Sequence, residues 1–248
     1  GLAPLDPRTL LAPCAGSGTG DPSYWRLMLE QNMRHCGALR IDHAMGLVRQ
    51  FWIPAGRPAS EGAYVTYPTA AMIDELAAAS HRQGCVVVAE DLGTVPEGFR
   101  EDLRRWGILR NQILYFERRD GAFIAPDRYD REALVAANTH DLPPLAGFWE
   151  GTDLELRAAG GIAGGEDLAA ARAARREEID QLRAALHRRG LVAADWQPAS
   201  SAELTAVVNE FLAHTPSRLL AVSVDDLGGE HAPINVPAAA NLPTPLWS

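Results

Sequence analysis

Residues 85–90 read Cys-Val-Val-Val-Ala-Glu, and this stretch decides the fold class. A continuous β-branched apolar run of this length predicts a strand that is buried on both faces, as in a parallel sheet. Further apolar runs share its form, since each ends at an acidic or polar residue. They are residues 38–41 before Asp42, 113–116 before Glu117, 134–137 before Asn138, and 219–224 before Asp225. The sequence therefore predicts five strands of one kind.

Helical patterns fill the segments between these strands. They cover residues 23–35, 70–83, 98–106 and 167–189. The last carries Ile179, Leu182 and Leu186 at spacings of three and four, which predicts one apolar stripe on a solvated helix. Alternating strands and helices predict an α/β fold with parallel strands, whose functional side chains gather at the carboxyl ends of the strands. Residues 1–22, with a glycine-rich run at 16–20, predict an irregular lead-in.

Composition excludes several classes of function. The 248 residues carry 23 basic and 32 acidic side chains, a net charge of −9, which argues against a nucleic-acid partner. All 23 of these basic residues are arginine, and the sequence contains no lysine. Without lysine, neither a Schiff-base enzyme nor a phosphate-loop ATPase is feasible. Three cysteines without Cys-x-x-Cys spacing, and no signal-like or membrane-spanning run, predict a cytoplasmic protein with no membrane association.

Three carboxylates follow three of the predicted strands. Because the carboxyl ends of parallel strands meet at one edge, we expect Asp42, Glu90 and Asp141 to form one site. Two carboxylates about 5–5.5 Å apart support retaining glycosyl transfer. Arg40, two residues before Asp42, would keep that carboxylate ionised as a nucleophile, whereas the apolar run before Glu90 predicts the partial burial that suits a proton donor.

A metal site is the alternative use of polar residues in the same regions. The available ligand types are His35, Cys36, His43, His140 and Asp141. Their spacing matches no zinc pattern, so we predict neither a metal nor another cofactor.

Several motifs together resemble the 4-α-glucanotransferases of glycoside hydrolase family 77, the amylomaltases. They are Ala-Leu-Arg-Ile-Asp-His-Ala-Met-Gly at 38–46, Phe-Trp-Ile-Pro at 51–54, Glu-Asp-Leu-Gly-Thr-Val-Pro at 90–96, and Asn-Thr-His-Asp at 138–141. Shorter matches lie at 114–118, 215–218 and 235–237. The resemblance implies a retaining transferase that moves α-1,4-glucan segments between maltooligosaccharides.

The resemblance also implies roles and an architecture. On the matching positions, Asp42 would be the nucleophile, Glu90 the general acid/base and Asp141 the stabiliser of the transition state, with Arg40, His43 and His140 binding substrate. Residues 23–248 would form the C-terminal part of a (β/α)8 TIM barrel, with strands equivalent to the fourth to eighth. The earlier strands would be absent, so the isolated chain is expected to have little or no activity and to self-associate through open barrel edges. Residues 238–239 are Ala-Ala where the family usually has Gly-Thr, and Gly228 replaces a Leu.

Two other functions remain open at this point. One is an α-amylase-like retaining hydrolase, although the Asn-Thr-His-Asp motif and His43 after Asp42 favour the transferase. The other is an inactive fragment that only binds glucan. Trp52, Tyr64 and Tyr67 could stack on sugar faces, and a core or loop role explains each of them equally well.

Overall fold

The computed structural model describes residues 4–14, 22–160 and 167–236. The chain forms two compact units, Gly1–Asn111 and Gln112–Ser248. The predicted glycine-rich loop at 16–20 lies outside the described residues. Within the described residues, no helix is both long enough and apolar enough to cross a membrane.

Unit 1 alternates helices with strands. Its helices are α1 (Pro7–Leu10), α2 (Tyr24–Met33), α3 (Thr69–Gln83) and α4 (Phe99–Arg105). Its strands are β1 (Ala38–Ile41), β2 (Arg49–Trp52), β3 (Ala63–Thr66), β4 (Val86–Ala89) and β5 (Leu109–Ile113), the last of which continues into unit 2. Short 3-10 helices cover Ala44–Leu47 and Ala59–Glu61.

Strands β1, β4 and β5 of unit 1 pair in parallel. Ala38 of β1 faces Val86 of β4, and Ile41 faces Ala89; β4 then pairs with β5. Between β1 and β4 the chain makes an antiparallel hairpin of β2 and β3 and then forms α3. This register aligns the carboxyl ends of β1 and β4, which the candidate site uses.

The core of unit 1 lies between these strands and helices α2 and α3. Ser23 begins α2, since its side chain accepts a hydrogen bond from the Arg26 N–H. Trp25 is buried and donates through its indole N–H to the carbonyl of Met72 in α3, at 3.0 Å. Gly84 ends α3 in the left-handed conformation, with φ of +62°.

Unit 2 is mainly helical around a pair of parallel strands. Its strands are β6 (Arg118–Arg119), β7 (Ala122–Phe123), β8 (Ala133–Ala136) and β9 (Leu219–Ala221). Its helices are α5 (Leu145–Glu150), α6 (Thr152–Ala159), α7 (Leu168–Arg188), α8 (Ser201–Ala213) and α9 (Val224–Gly228), with 3-10 helices at Leu114–Phe116 and Pro126–Arg128. Strands β8 and β9 pair in parallel, while β6 and β7 form an antiparallel hairpin.

Most predicted elements are confirmed, and two strand boundaries are wrong. Ile179, Leu182 and Leu186 form the buried stripe of α7. The strand expected at 113–116 lies earlier, at 109–113, and residues 114–116 form a 3-10 helix instead. The strand expected at 219–224 ends at Ala221, because Ser223 accepts a hydrogen bond from the Asp225 N–H and begins α9.

Candidate active site

Asp42 and Glu90 directly follow the paired strands β1 and β4 of unit 1. The Glu90 N–H donates to the carbonyl of Ile41 at 2.9 Å, and the Ala44 N–H donates to the carbonyl of Glu90 at 3.0 Å. These bonds continue the strand register past the end of the sheet. The backbones of the two acidic residues are therefore held side by side at the carboxyl edge.

Arg40 and Asp42 lie on the same side of this edge, as their spacing predicts. The guanidinium Nη1 is 2.5 Å from Asp42 Oδ1. The Asp42 side chain is 57% exposed and that of Arg40 is 29% exposed. The pair thus offers an accessible carboxylate, one oxygen of which contacts the permanently charged guanidinium of Arg40.

The Glu90 side chain is buried and accepts two backbone hydrogen bonds. The His43 N–H lies 2.8 Å from Oε2, and the Leu92 N–H lies 2.6 Å from Oε1. Burial of Glu90 was expected from the apolar run before it, and the residue is 8% exposed. His43 reaches this position in a left-handed conformation with φ of +45°, which is uncommon for a residue other than glycine. This turn aims the His43 N–H at the Glu90 carboxylate and leaves the imidazole exposed.

Asp91 supports the segment that carries Glu90, although its only distinction in the sequence is its place in the motif at 90–96. It is fully buried, and its Oδ2 accepts hydrogen bonds from Arg100 at 2.7 Å and Arg110 at 2.8 Å. Arg100 also donates to the Asp91 carbonyl. The signal available in the sequence was an acid directly after the candidate general acid, followed by arginines at 100 and 110. Asp91 fixes the backbone on which Glu90 stands.

A cavity of about 1210 Å³ opens beside Asp42 and His43 in unit 1. Its wall includes Phe51, Trp52 and Tyr67. Tyr67 is a core residue, because it is buried and its hydroxyl lies 2.7 Å from the Leu5 carbonyl oxygen and 3.0 Å from Gln50 Oε1. Of the remaining aromatic candidates for sugar stacking, Trp52 is half-buried at the cavity.

Tyr64, the third of these aromatic candidates, is 61% exposed on the β2–β3 hairpin. Its ring packs edge-on against Phe51, with ring centroids 5.1 Å apart, and Arg49 lies 4.4 Å above it. The hairpin therefore presents an aromatic pair at the surface.

His140 and Asp141 follow β8 and therefore belong to unit 2. The His140 Nε2 lies 3.4 Å from Asp141 Oδ2, and the Asn235 side-chain amide donates to Asp141 Oδ1. The side chains of both predicted residues are partly exposed. Asn235 was noted only as part of a matching motif, and in the structure it orients the Asp141 carboxylate.

Asp226 is the buried acid behind the His140–Asp141 segment. Its Oδ2 accepts a hydrogen bond from Asn138 at 2.9 Å, and its Oδ1 accepts one from the Leu145 N–H at 2.6 Å. Burial raises the pKa of Asp226 above its ordinary value, in opposition to these two hydrogen bonds. Asp226 thus fixes both ends of the loop between β8 and α5. A cavity of about 230 Å³ lies beside it, lined by residues that include Asn138, His140 and Asp225.

The candidate metal ligands do not meet in the described residues. Within 4–14, 22–160 and 167–236, no group of three or more His, Cys, Asp or Glu side chains has an arrangement that could hold a metal ion. His35 is exposed before β1, while His140 and Asp141 belong to unit 2.

Comparison with known proteins assigns the family. The model of the 4-alpha-glucanotransferases, glycoside hydrolase family 77, matches residues 20–247. The chain belongs to this family. The 4-alpha-glucanotransferase of Mycobacterium tuberculosis is 40% identical over 225 residues, which are 88% of this chain and 30% of that protein. The Haemophilus influenzae 4-alpha-glucanotransferase is 37% identical over 219 residues, 86% of this chain and 31% of that protein.

Solved structures confirm the fold expected from the resemblance. The crystal structure of amylomaltase from Corynebacterium glutamicum matches with a TM-score of 0.80 and 29% identity, covering 93% of this chain and 36% of that chain. The amylomaltase of Streptococcus agalactiae, solved with acarbose, matches with a TM-score of 0.57 at 19% identity. The fold is therefore α/β and corresponds to part of an amylomaltase TIM barrel. The chain spans about a third of the length of the curated relatives named above.

Proposed function

We propose that the gene product containing this chain is a 4-α-glucanotransferase that transfers α-1,4-glucan segments between maltooligosaccharides with retention of configuration. The observation that carries this proposal is the pairing of β1 with β4, which sets Asp42 beside Glu90 in a member of this family. Two neighbouring carboxylates in unlike surroundings suit the two roles of a retaining mechanism.

Asp42 is proposed as the nucleophile that holds the glucosyl segment. Its exposure favours access to a sugar C1 atom, and Arg40 engages Oδ1. In the first step, Asp42 would form a bond to C1 while the C1–O4 bond breaks. Arg40 stabilises the carboxylate before the attack, and releases part of this interaction when the ester forms.

Glu90 is proposed as the general acid/base. Its proton would pass to the departing O4 in the first step. In the second step Glu90 would take the proton from the 4-hydroxyl of the acceptor, whose oxygen attacks C1 and displaces Asp42. An oxygen that carries a proton is a weaker acceptor, so we expect protonation of Glu90 to weaken one of its two backbone hydrogen bonds.

Asp141 is proposed to bind ring hydroxyls and to stabilise the positive charge that develops at C1. The contacts from His140 and Asn235 support this role, because they hold the carboxylate in one orientation. His43 and His140 are proposed to contact substrate through their accessible imidazoles, and Arg40 through its exposed part.

The proposed partners are α-1,4-glucans and maltooligosaccharides. The Streptococcus agalactiae relative was solved with acarbose, and an acidic chain suits a neutral sugar better than a nucleic acid. The cysteine content favours a cytoplasmic location. Self-association of the 248-residue chain through open strand edges is also proposed.

The test is Asp42→Asn in the gene product, with maltotriose as substrate. Loss of the nucleophile is expected to abolish the ladder of longer and shorter glucans seen by chromatography. Asp74→Asn is the matched control, since Asp74 is an exposed acid on α3. Normal ladder formation by Asp42→Asn would refute the assignment.

The same reaction separates the two remaining functions. A hydrolase would raise the number of reducing ends with each cleavage, whereas a transferase leaves that number constant. A glucan-binding protein without activity would form no products and would still bind maltooligosaccharides in calorimetry. Either result would contradict the transferase proposal.

A further inference from the structure

Two thiols are in contact at the amino ends of the strands that carry Asp42 and Glu90. Cys36 precedes β1 and Cys85 precedes β4, and their Sγ atoms are 3.7 Å apart. The Val86 N–H donates to the Gly37 carbonyl at 2.9 Å, which fixes the two strand starts beside each other. Both cysteines are free thiols in this structure.

The two thiols have different surroundings. Cys36 is half-buried, and its Sγ donates to the carbonyl of Asn32 at 3.3 Å. Cys85 is 2% exposed. Burial, together with the neighbouring Cys36, raises the pKa of Cys85 to about 11. A dissolved oxidant therefore reaches Cys36 first, and Cys85 waits behind it as the partner thiol.

We propose that Cys36 and Cys85 form a reversible oxidation site, which hydrogen peroxide converts to an intrachain disulfide. In the first step the Cys36 sulfur attacks one peroxide oxygen, the O–O bond breaks, and a sulfenic acid and one water are formed. In the second step the Cys85 sulfur attacks the Cys36 sulfur. An S–S bond forms and the S–O bond breaks, and the hydroxyl leaves with the Cys85 proton as a second water. Two thiols lose two electrons, and one peroxide gains them.

The local structure allows the required approach. An S–S bond is about 2.05 Å long, so the sulfurs must come closer by about 1.7 Å. Cys36 lies in the turn between α2 and β1, and the adjacent Gly37 has open space where a Cβ would lie. No packed atom on the Cβ side of Gly37 therefore opposes a small adjustment of the turn.

The cross-link would join positions 49 residues apart in sequence. It would enclose β1, the β2–β3 hairpin and α3 in one covalent loop, which restricts the unfolded chain and raises the midpoint of thermal unfolding. Reduction of the bond restores the thiols and reverses this gain. The site differs from the proposed active site, since Asp42 and Glu90 follow the opposite ends of the same two strands.

The experiment treats the purified 248-residue chain with one equivalent of hydrogen peroxide. The expected result is an intact-mass loss of about 2 Da, and a fall in denatured thiol titre from three per chain to one. A non-reducing peptide map is expected to link the peptides of Cys36 and Cys85. Dithiothreitol should restore the original mass and titre, together with the lower unfolding midpoint.

The controls use the cysteines of the chain itself. Cys14→Ser should form the same link, since Cys14 is not part of the contact, whereas Cys36→Ser and Cys85→Ser should not form it. Circular dichroism of each reduced variant shows whether it is folded, and Cys36→Ala serves as a second variant if Cys36→Ser is not. A link that involves Cys14, sulfinic acid at Cys36 without a link, or an unchanged titre would each overturn the proposal. None of these readouts depends on glucan transfer.

Discussion

The proposed general acid/base role of Glu90 can be tested by a single substitution. Glu90→Gln keeps the shape of the side chain but can neither donate a proton to O4 nor take one from an acceptor. We expect turnover of maltotriose to fall by about 10²–10⁴-fold, the usual contribution of general acid/base catalysis. A maltosyl fluoride donor needs no protonation of its leaving group, so the variant should still form the ester on Asp42.

The measurement for Glu90→Gln is mass spectrometry of the digested gene product. After incubation with maltosyl fluoride, the peptide with Asp42 is expected to carry the maltosyl group, because the variant lacks the base that activates the acceptor. Glu97→Gln is the matched control, since Glu97 is exposed on the same loop. A glycosylated peptide that lacks Asp42 would contradict the proposed roles.

Asp226 predicts a pH dependence of stability. Its pKa is raised by burial in the folded state, so the folded state holds this proton to higher pH than the unfolded chain does. The contribution of Asp226 to the free energy of unfolding is therefore largest below its ordinary pKa of 3.8. It declines as the pH rises through the folded-state pKa.

The prediction for Asp226 is checked by urea unfolding between about pH 3 and about pH 6, in the native chain and in Asp226→Asn. The free energy of unfolding of the native chain, minus that of the variant, should fall as the pH rises. Asp195→Asn, at an exposed acid, should show no such trend. A difference that grows with pH would mean that the hydrogen bonds from Leu145 and Asn138 outweigh burial.

At the scale of the element, a substitution at Gly84 measures the cost of backbone strain without a change in side-chain packing. It ends α3 with φ of +62°, and a Cβ at this position would meet no atom within 4 Å. Gly84→Ala is therefore expected to lower the free energy of unfolding by about 1 kcal/mol, through the left-handed conformation alone. Chemical denaturation measures the change.

Gly37→Ala is the control for Gly84→Ala. Its Cβ would also lie in open space, and its φ is outside the left-handed region. We expect little change in stability there. Equal losses at both positions would show that strain at the end of α3 is not the cause.

The elements show which features the sequence could predict. The run at 85–89 was recognised because nothing polar interrupts it, and the run at 38–41 because apolar residues surround its one charged residue, Arg40. Strand β5 was placed too late, because it contains Asn111 and Gln112, which are polar and yet buried. Gln112 Oε1 accepts a hydrogen bond from the Asp130 N–H at 2.8 Å. Asp130 lies 18 positions from Gln112 in sequence, so no local pattern predicts this hydrogen bond.

The candidate site was predictable to a similar extent. The positions of Arg40, Asp42 and Glu90 follow from strand ends and from alternation along β1. The supporting contacts do not, since the His43 N–H reaches Glu90 across 47 residues and Asn138 reaches Asp226 across 88. The catalytic roles of Asp42, Glu90 and Asp141 stay predictions until the variants are measured.

At the scale of the whole molecule, the described strands include two sheet edges. Within residues 4–14, 22–160 and 167–236, β1 and β9 are edge strands, each paired on one side only. Exposed apolar side chains lie on and after β9. Leu220 and Val222 are each 39% exposed, Leu227 is 67% exposed and Val224 is 80% exposed. Unpaired strand edges beside apolar side chains favour pairing between chains.

Charge opposes this association and makes it dependent on salt. A net charge of −9 on each chain produces repulsion at low ionic strength. The screening length is about 10 Å at 0.1 M salt and about 3 Å at 1 M, so salt removes the repulsion while apolar contacts persist. We therefore expect the 248-residue chain to be more associated at high salt, which sedimentation velocity over a range of protein concentrations measures.

The variant with Val224→Glu and Leu227→Glu tests the surface responsible. Both residues are exposed on α9, so the substitutions need not disturb the core, and each adds a negative charge to the apolar surface. The double variant should sediment as a monomer at salt concentrations where the native chain associates, with an unchanged unfolding midpoint. If the folded variant still associates, the contact is made by the other edge strand, β1. A native chain that stays monomeric in 1 M salt would refute association through strand edges.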